Sequence, residues 1–338
     1  MKHPVYLTLA LALSLACGHK TVEPPPAAPE PPAAAPPKPP EPTAEEKKAA
    51  EDKAKLEADR AKLHSEHEAD VARWTPEFRA EAKAITDKAY PNTKAALKAA
   101  LAAKYRKPGN AARDQYRHPE QTLEFFGLKP NQTVLEYGPG EGWYTEVLAP
   151  VLAKKGKLIV TSTDPNGSPD DRSTLGGERE KLFLEQSPEL YSKVEMAVFD
   201  PKAPELKLDG SVDLVLVMRG LHGMVNGGKL DTWLTQFHKV LKPKGVLGIE
   251  QHRAPADAVA EESSKKGYLP EKWVIEKIEA AGFKLAGKSE INTNPKDTKD
   301  YEKGVWTLPP TYTLGDKDKD KYAAIGESDR MTLKFTKK

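Results

Sequence analysis

The sequence predicts an α/β protein: a doubly wound, mostly parallel seven-stranded sheet with helices on both faces, preceded by a disordered linker and a helical extension. Three observations predict it. From residue 133 onward, short apolar runs alternate with helical patterns, the order that parallel βαβ units require. The segment 229–241 carries Leu230, Trp233, Leu234, Phe237 and Leu241 at helical spacing, a single apolar face. The run "VLEYGPGEGWYT" passes from an apolar strand through Gly138, Gly140 and Gly142 into a helix. In an open α/β sheet, such a turn lies where strand order reverses and ligands bind.

The chain begins "MKHPVYLTLALALSLACGHK". Lys2 is a positive head, and the apolar stretch from Val5 to Ala16 is too short to span about 30 Å of hydrocarbon. Residues 1–16 therefore read as a signal peptide. Cys17 is the only cysteine, which excludes an internal disulfide framework and a Cys-based zinc site. The segment resembles a bacterial lipobox, although Ser14 stands where that motif has Leu, Val or Ile. The resemblance implies acylation at Cys17. With Gly18 rather than Asp next, it also implies an exported protein on the outer membrane, facing the periplasm.

Residues 17–43 hold eleven of the 30 prolines and read as a polyproline II spacer of about 3.1 Å per residue. Residues 44–107 form a charged helical extension. Its first part, rich in Ala, Glu and Lys, favours helix by propensity and by i,i+4 ion pairs. Leu56 and Leu63 are one heptad apart but the seam is not sustained, so this part reads as a solvated stalk. His64 and His67 lie on it as surface residues. A second helical stretch over 74–105 has more Ala and Leu to bury, and 106–132 reads as turn, loop and a short helix ending at Gly127.

The remaining domain, 108–338, is expected to be a Rossmann-like sheet. Strands are expected at 133–137, 157–163, 194–199, 212–218, 246–251, 284–290 and 331–335, with helices at 143–153, 178–187, 229–241 and 270–281. The "KPKG" run stops the third of these helices. Residues 292–330 form an insertion before the last strand and are expected to fold over the pocket as a lid. The net charge is +2, and no basic stripe is interleaved with aromatics, so nucleic acid is not an expected partner. A monomer is expected, touching the membrane only through its lipid anchor.

The glycine spacing is G-x-G-x-G. A dinucleotide fingerprint needs its third glycine at 143, which is Trp143, and no P-loop lysine follows. A nicotinamide-dependent oxidoreductase is therefore disfavoured. The turn suits a phosphate-free nucleoside packed against the main chain.

"VLEYGPGEGWYT" resembles motif I of the class I S-adenosylmethionine-dependent methyltransferases. The resemblance implies S-adenosylmethionine as cofactor, held by Glu136, Tyr137, Gly138, Gly140 and Gly142. It implies that Asp164, ending "LIVTSTD", grips the ribose hydroxyls, and that Asp200, ending "EMAVFD", lies near the adenine amino group. "VDLVLVMRG" and "HKVLKPKGVLGIE" resemble the family's fourth strand and its helix–turn–fifth strand, and the likeness runs from about Arg117 to Lys338. "NPKDTKD", "GVWTLPP" and "GESDRMTLKF" resemble an exported bacterial lipoprotein subgroup of these enzymes. The implied activity is methyl transfer to a small-molecule, lipid or protein acceptor.

Methyl transfer needs alignment of nucleophile, methyl and sulfur, and in some cases a base. "MRGLHGM" and "EQHRAP" follow strands four and five and would bring Arg219, His222, His252 and Arg253 above the pocket. His222 is the first base candidate and His252 the second, because imidazole titrates near neutrality. Arg219 and Arg253 either clamp an acceptor carboxylate or phosphate, or pair with Glu250 and nearby acids. No "NPPY"-type motif follows strand four, so adenine-N6 methylation is not expected. In the insertion, Trp306, Tyr312 and Tyr322 either enclose an apolar acceptor or simply pack. Asp316, Asp318, Asp320 and Glu327 fall at EF-hand ligand positions, but Lys321 replaces the required glycine and no metal is expected. An exported chain is separated from the cytosolic supply of S-adenosylmethionine. The alternative reading is therefore a non-catalytic envelope lipoprotein that binds an adenosine-like or other small ligand in the same fold.

Overall fold

The computed structural model describes residues 22–23 and 43–338. The segment expected to be a signal peptide, Cys17 and nearly all of the proline-rich segment lie outside the described residues. The chain runs α1 (Ala44–Arg73), α2 (Pro76–Asp87), α3 (Thr93–Leu101), α4 (Asp114–Arg117), α5 (Pro119–Phe126), β1 (Thr133–Tyr137), α6 (Thr145–Leu152), β2 (Lys157–Ser162), α7 (Arg172–Glu185), α8 (Pro188–Tyr191) and β3 (Glu195–Val198). It continues through β4 (Val212–Met218), α9 (Leu221–Asn226), α10 (Leu230–Val240), β5 (Leu241–His252), α11 (Ala260–Ser263), α12 (Glu271–Ala280), β6 (Phe283–Ser289), α13 (Lys319–Ile325) and β7 (Arg330–Lys337).

The helical stretch expected over 74–105 is two helices. Pro91 lacks the N–H a continuous helix would use, and the Asn92 side chain then caps α3 by accepting from Ala95 N–H. Thr75 caps α2 in the same way, with Pro76 at its first position. Gly127, at φ 84°, closes α5.

The seven strands form one sheet in the order β3-β2-β1-β4-β5-β7-β6. β1 to β5 are parallel, while β7 runs antiparallel between β5 and β6. Strand order reverses between β1 and β4, and the turn after β1 opens there. β4 is buried on both faces, as a central parallel strand must be. One face carries Val134, Leu158, Leu214 and Leu216 under Ala82, Leu97, Leu123 and Leu148. The other carries Leu135, Ile159, Val215 and Val217 under Trp233, Leu234, Phe237, Val274 and Ile278. Strand five starts earlier than its apolar run. Leu241 already pairs with Val212, and the "KPKG" residues are taken up in a register shift with Lys244 at φ 63°.

The charged helix α1 does not stand free as a stalk. Leu56 and Leu63 are buried against Leu175 and Leu182 of α7. Arg60 pairs with Glu178 at 2.9 Å and Asp59 with Arg172 at 2.8 Å along the same seam. Two leucines on a polar helix were too little apolar signal to reveal this docking. No helix among the described residues is long and apolar enough to cross a membrane.

Candidate functional site

All five parallel strands end at one edge of the sheet, and the antiparallel β7 begins there, with His252 in register with Arg330. That edge carries two neighbouring features: the glycine turn after β1, and a cavity between the ends of β4, β5 and β7.

In the turn, Gly138, Gly140 and Gly142 have φ of 59°, 66° and 74°. These are left-handed conformations that only glycine adopts without strain. Side chains added at the three positions would meet different surroundings. A Cβ at Gly138 would meet no atom within 4 Å, and one at Gly140 would meet only the Gly138 carbonyl, at 4.0 Å. A Cβ at Gly142 would lie 2.0 Å from the Phe183 ring. Two of the three glycines thus offer open main chain, while the third is needed for close packing of α7. A cleft beside Gly140 is walled by Glu66, His67 and Asp70 of α1 and by Arg179 of α7.

Strand alternation sends Glu136 and Tyr137 to opposite faces. Tyr137 packs edge-on against Trp233 and Phe237 of α10, with ring centroids 4.6 and 5.5 Å away. Glu136 is buried toward α6, where its carboxylate accepts from the Thr145 hydroxyl at 2.8 Å. Asp164 and Asp200 are exposed at the ends of β2 and β3. Each accepts one local backbone hydrogen bond, from Asn166 N–H at 2.9 Å and Lys202 N–H at 2.8 Å. Their second carboxylate oxygens have no protein partner among the described residues.

Sequence reasoning missed Glu180 of α7. It is buried, and its Oε1 has no hydrogen-bond partner. Burial pushes its carboxyl up to about 8, and the neighbouring Glu136 adds to the shift. Burial pushes Glu136 up to about 7, against the Thr145 hydroxyl and the Arg219 guanidinium. For Glu180 the folded chain holds a proton that the unfolded chain gives up near 4.5. Its contribution to stability is therefore full below that value and is lost as pH rises toward 8. Glu180→Gln is expected to flatten this slope. At pH 8 it should stabilise the protein on the order of 1–2 kcal/mol by removing the cost of a buried charge, with little effect at pH 5. Urea midpoints at the two pH values would read the difference.

The cavity measures about 260 Å³ and is lined by Arg113, Arg117, Arg219, His222, His252 and Trp306, among others. Arg219 follows β4 at φ 61°, a left-handed conformation that is strained for a side-chain-bearing residue. Its N–H donates to the Glu250 carbonyl at 2.6 Å and its guanidinium to the Glu250 carboxylate at 3.0 Å. Glu250 is fully buried and also accepts from Arg330 at 3.0 Å and from the Tyr144 hydroxyl at 2.9 Å. Glu327, buried but lining the cavity, is met by Arg113 at 2.7 Å, Arg117 at 3.0 Å and Arg330 at 3.1 Å. The Arg117 guanidinium stacks 4.6 Å from the Trp143 ring, so the residue that breaks the dinucleotide fingerprint serves as an arginine platform.

His222 and His252 face one another with centroids 5.8 Å apart, and Trp306 lies 5.8 Å from His222. Burial pushes both imidazoles down, His252 the further, with His222 and Arg219 adding to its shift. Burial thus favours the neutral imidazole, the form a base requires, while making protonation harder at His252 than at His222. His252 Nδ1 meets the Ser328 hydroxyl, and His222 Nδ1 lies 3.3 Å from the Gln251 amide nitrogen.

Arg253 does not join them. It lies three residues beyond Glu250, and alternation sends it to the other face. There it pairs with Glu290 at 2.7 Å and Glu271 at 3.3 Å. From residues 292–330, Val305, Trp306, Pro309, Pro310 and Thr311 line the cavity. Tyr312 and Tyr322 instead pack in a satellite cluster with Tyr301 and Leu308. Glu327 turns inward to the arginines, away from the exposed Asp316, Asp318 and Asp320. Arg113, Arg117 and Arg330 escaped sequence reasoning as site residues, and the sequence marks Glu327 only as an EF-hand position.

A family model described as a methyltransferase domain matches residues 111–279, half of the chain. Solved structures with similarity include a SAM-dependent methyltransferase from Aquifex aeolicus, 18% identical, covering 72% of this chain and 98% of that one, with a TM-score of 0.44. The [4+2]-cyclase SpnF is 16% identical, covering 65% and 80%, with a TM-score of 0.47. A SAM-dependent methyltransferase from Methanosarcina mazei is 13% identical, covering 64% and 96%, with a TM-score of 0.42. No curated protein matches the chain.

Proposed function

The chain belongs to the methyltransferase-domain family, and from that premise we propose that it transfers a methyl group from S-adenosylmethionine to a small acceptor in the cavity beside the glycine turn. One observation carries this reading. The open glycine backbone lies at the reversal of strand order, and a cavity lined by His222 and His252 opens on the same edge of the sheet.

The residues present fit this cofactor. Gly138 and Gly140 leave room for a nucleoside against the main chain. Asp164 and Asp200 each keep a carboxylate oxygen for a hydroxyl or amino donor. When bound, S-adenosylmethionine supplies an electrophilic methyl on a sulfonium. The protein's part is to orient the acceptor and to take its proton, and His222 is the group we assign to that proton. The cavity, at the small end of ligand pockets, suits a small molecule or a single side chain.

Calorimetric titration of the purified protein with S-adenosylmethionine and with its demethylated product tests the reading. Both are expected to bind, and an absence of heat with either would overturn it. Asp164→Ala is expected to weaken both by about 10–100-fold, the loss of charge-assisted hydrogen bonds to a ribose.

We also propose, from residues 1–17, that the protein is exported and tethered through Cys17 to the outer membrane, facing the periplasm. Cys17→Ala is then expected to move it from the membrane to the soluble periplasmic fraction. An unchanged distribution would refute the tether.

A further inference from the structure

We propose that the cavity holds an acceptor through an oxyanion, a carboxylate or phosphate, where "acceptor" takes the methyl-transfer reading as given and the anion site stands on the cavity alone. The network on this edge contains four guanidinium groups, Arg113, Arg117, Arg219 and Arg330, and two carboxylates, Glu250 and Glu327. Two positive charges are left in excess. Of the other groups facing them, burial disfavours charge on His222, His252 and the Tyr144 hydroxyl, and Glu136, whose buried carboxyl is pushed up to about 7 beside Arg219, offsets at most one positive charge, so at least one remains. The nearby Glu146 and Asp114 are taken by Arg106 at 2.8 and 2.6 Å.

Arg113 and Arg117 spend only Nε on Glu327, and Arg219 spends one terminal nitrogen on Glu250. Their other N–H groups have no hydrogen-bond partner among the described residues, and all three side chains line the cavity. Guanidinium forks of this kind bind carboxylate and phosphate oxygens in pairs. Glu327 and Glu250 therefore aim the arginines without neutralising them. A partly buried surplus of positive charge is costly unless an anion joins it. His222 lies at the same cavity, so an acceptor anchored by its oxyanion presents its nucleophile to a base.

The methionine carboxylate of the cofactor could satisfy the same arginines, and the test separates the two. Inorganic phosphate is titrated into the full chain at low salt, with and without saturating S-adenosylhomocysteine. Phosphate is expected to bind in both cases, and Arg113→Gln to weaken it about tenfold, with Arg113→Lys between. Arg113 is partly exposed, and the comparison with and without S-adenosylhomocysteine needs no variant. Phosphate competing with S-adenosylhomocysteine would assign the arginines to the cofactor and overturn the proposal. So would phosphate binding to neither form. Phosphate binding without any S-adenosylhomocysteine binding would keep the anion site and sink the methyl-transfer reading.

Discussion

Glu250→Gln is expected to lower the free energy of unfolding by about 3 kcal/mol, read as a shift of the urea midpoint at unchanged slope. Glu250 is fully buried and its carboxylate accepts from Arg219, Arg330 and Tyr144. Removing one member of a buried charge network leaves the others uncompensated, and that penalty exceeds the value of the lost bonds. The low end of the usual range applies because Arg330 keeps Glu327 at 3.1 Å. The glutamine carbonyl can still accept from Tyr144. In the double variant with Arg219→Gln, more than half of the loss is expected to return, since the stranded guanidinium is gone. A loss below about 1 kcal/mol in the single variant would mean that water or a counter-ion already screens the network.

The same substitution bears on the site. Arg219 sits at φ 61°, a conformation costing on the order of 1–2 kcal/mol for a residue with a side chain. Glu250 holds it there twice, through its main-chain carbonyl and through its carboxylate. Strain of this kind persists where the surroundings over-determine a position, and it gathers at functional sites. Glu250→Gln keeps the carbonyl and loses the ionic hold. It also removes a negative charge beside the cavity, so the lost hold on Arg219 and the larger positive surplus act in opposite directions on phosphate binding.

The sheet was legible because its causes are local. β1 and β4 begin and end at the residues where the apolar runs do, and the face of α10 follows from its spacing. The left-handed φ of the three glycines was legible too, because no other residue fits such a turn so readily. The arginine network was not. Arg113 and Glu327 are 214 residues apart. They meet because β7 runs antiparallel, which brings the residues before it to the edge where the parallel strands end. No spacing in the sequence encodes that pairing. Arg253 is the converse case: adjacent to His252 in sequence, it is carried to the opposite face by the alternation of a strand. Composition misread α1 because two leucines are its only buried residues and, Val71 apart, the other residues of the helix are polar or small.

Gly142→Ala is expected to cost about 2–4 kcal/mol of stability, whereas Gly140→Ala should cost about 1 kcal/mol and act on binding instead. The two share a left-handed backbone, with φ of 74° and 66°. They differ in what the new methyl meets. At Gly142 it falls 2.0 Å from the tip of the Phe183 ring, which must move from its contact with Tyr191, 4.9 Å away between centroids. Phe183→Ala alone also destabilises, by loss of buried ring. Combined with Gly142→Ala it should cost less than the sum of the two, with a coupling of at least about 1 kcal/mol. Additive losses would mean that the ring is not what the glycine accommodates. At Gly140 the methyl enters space bounded only by the Gly138 carbonyl at 4.0 Å. If a nucleoside lies against that main chain, the methyl occupies its place, and S-adenosylmethionine binding should fall by at least tenfold, about 1.4 kcal/mol. Unchanged binding in a folded Gly140→Ala protein would show that no ligand approaches the turn there. The positive φ at Gly140 would then be a matter of backbone conformation alone, as the Phe183 contact makes Gly142 a matter of packing.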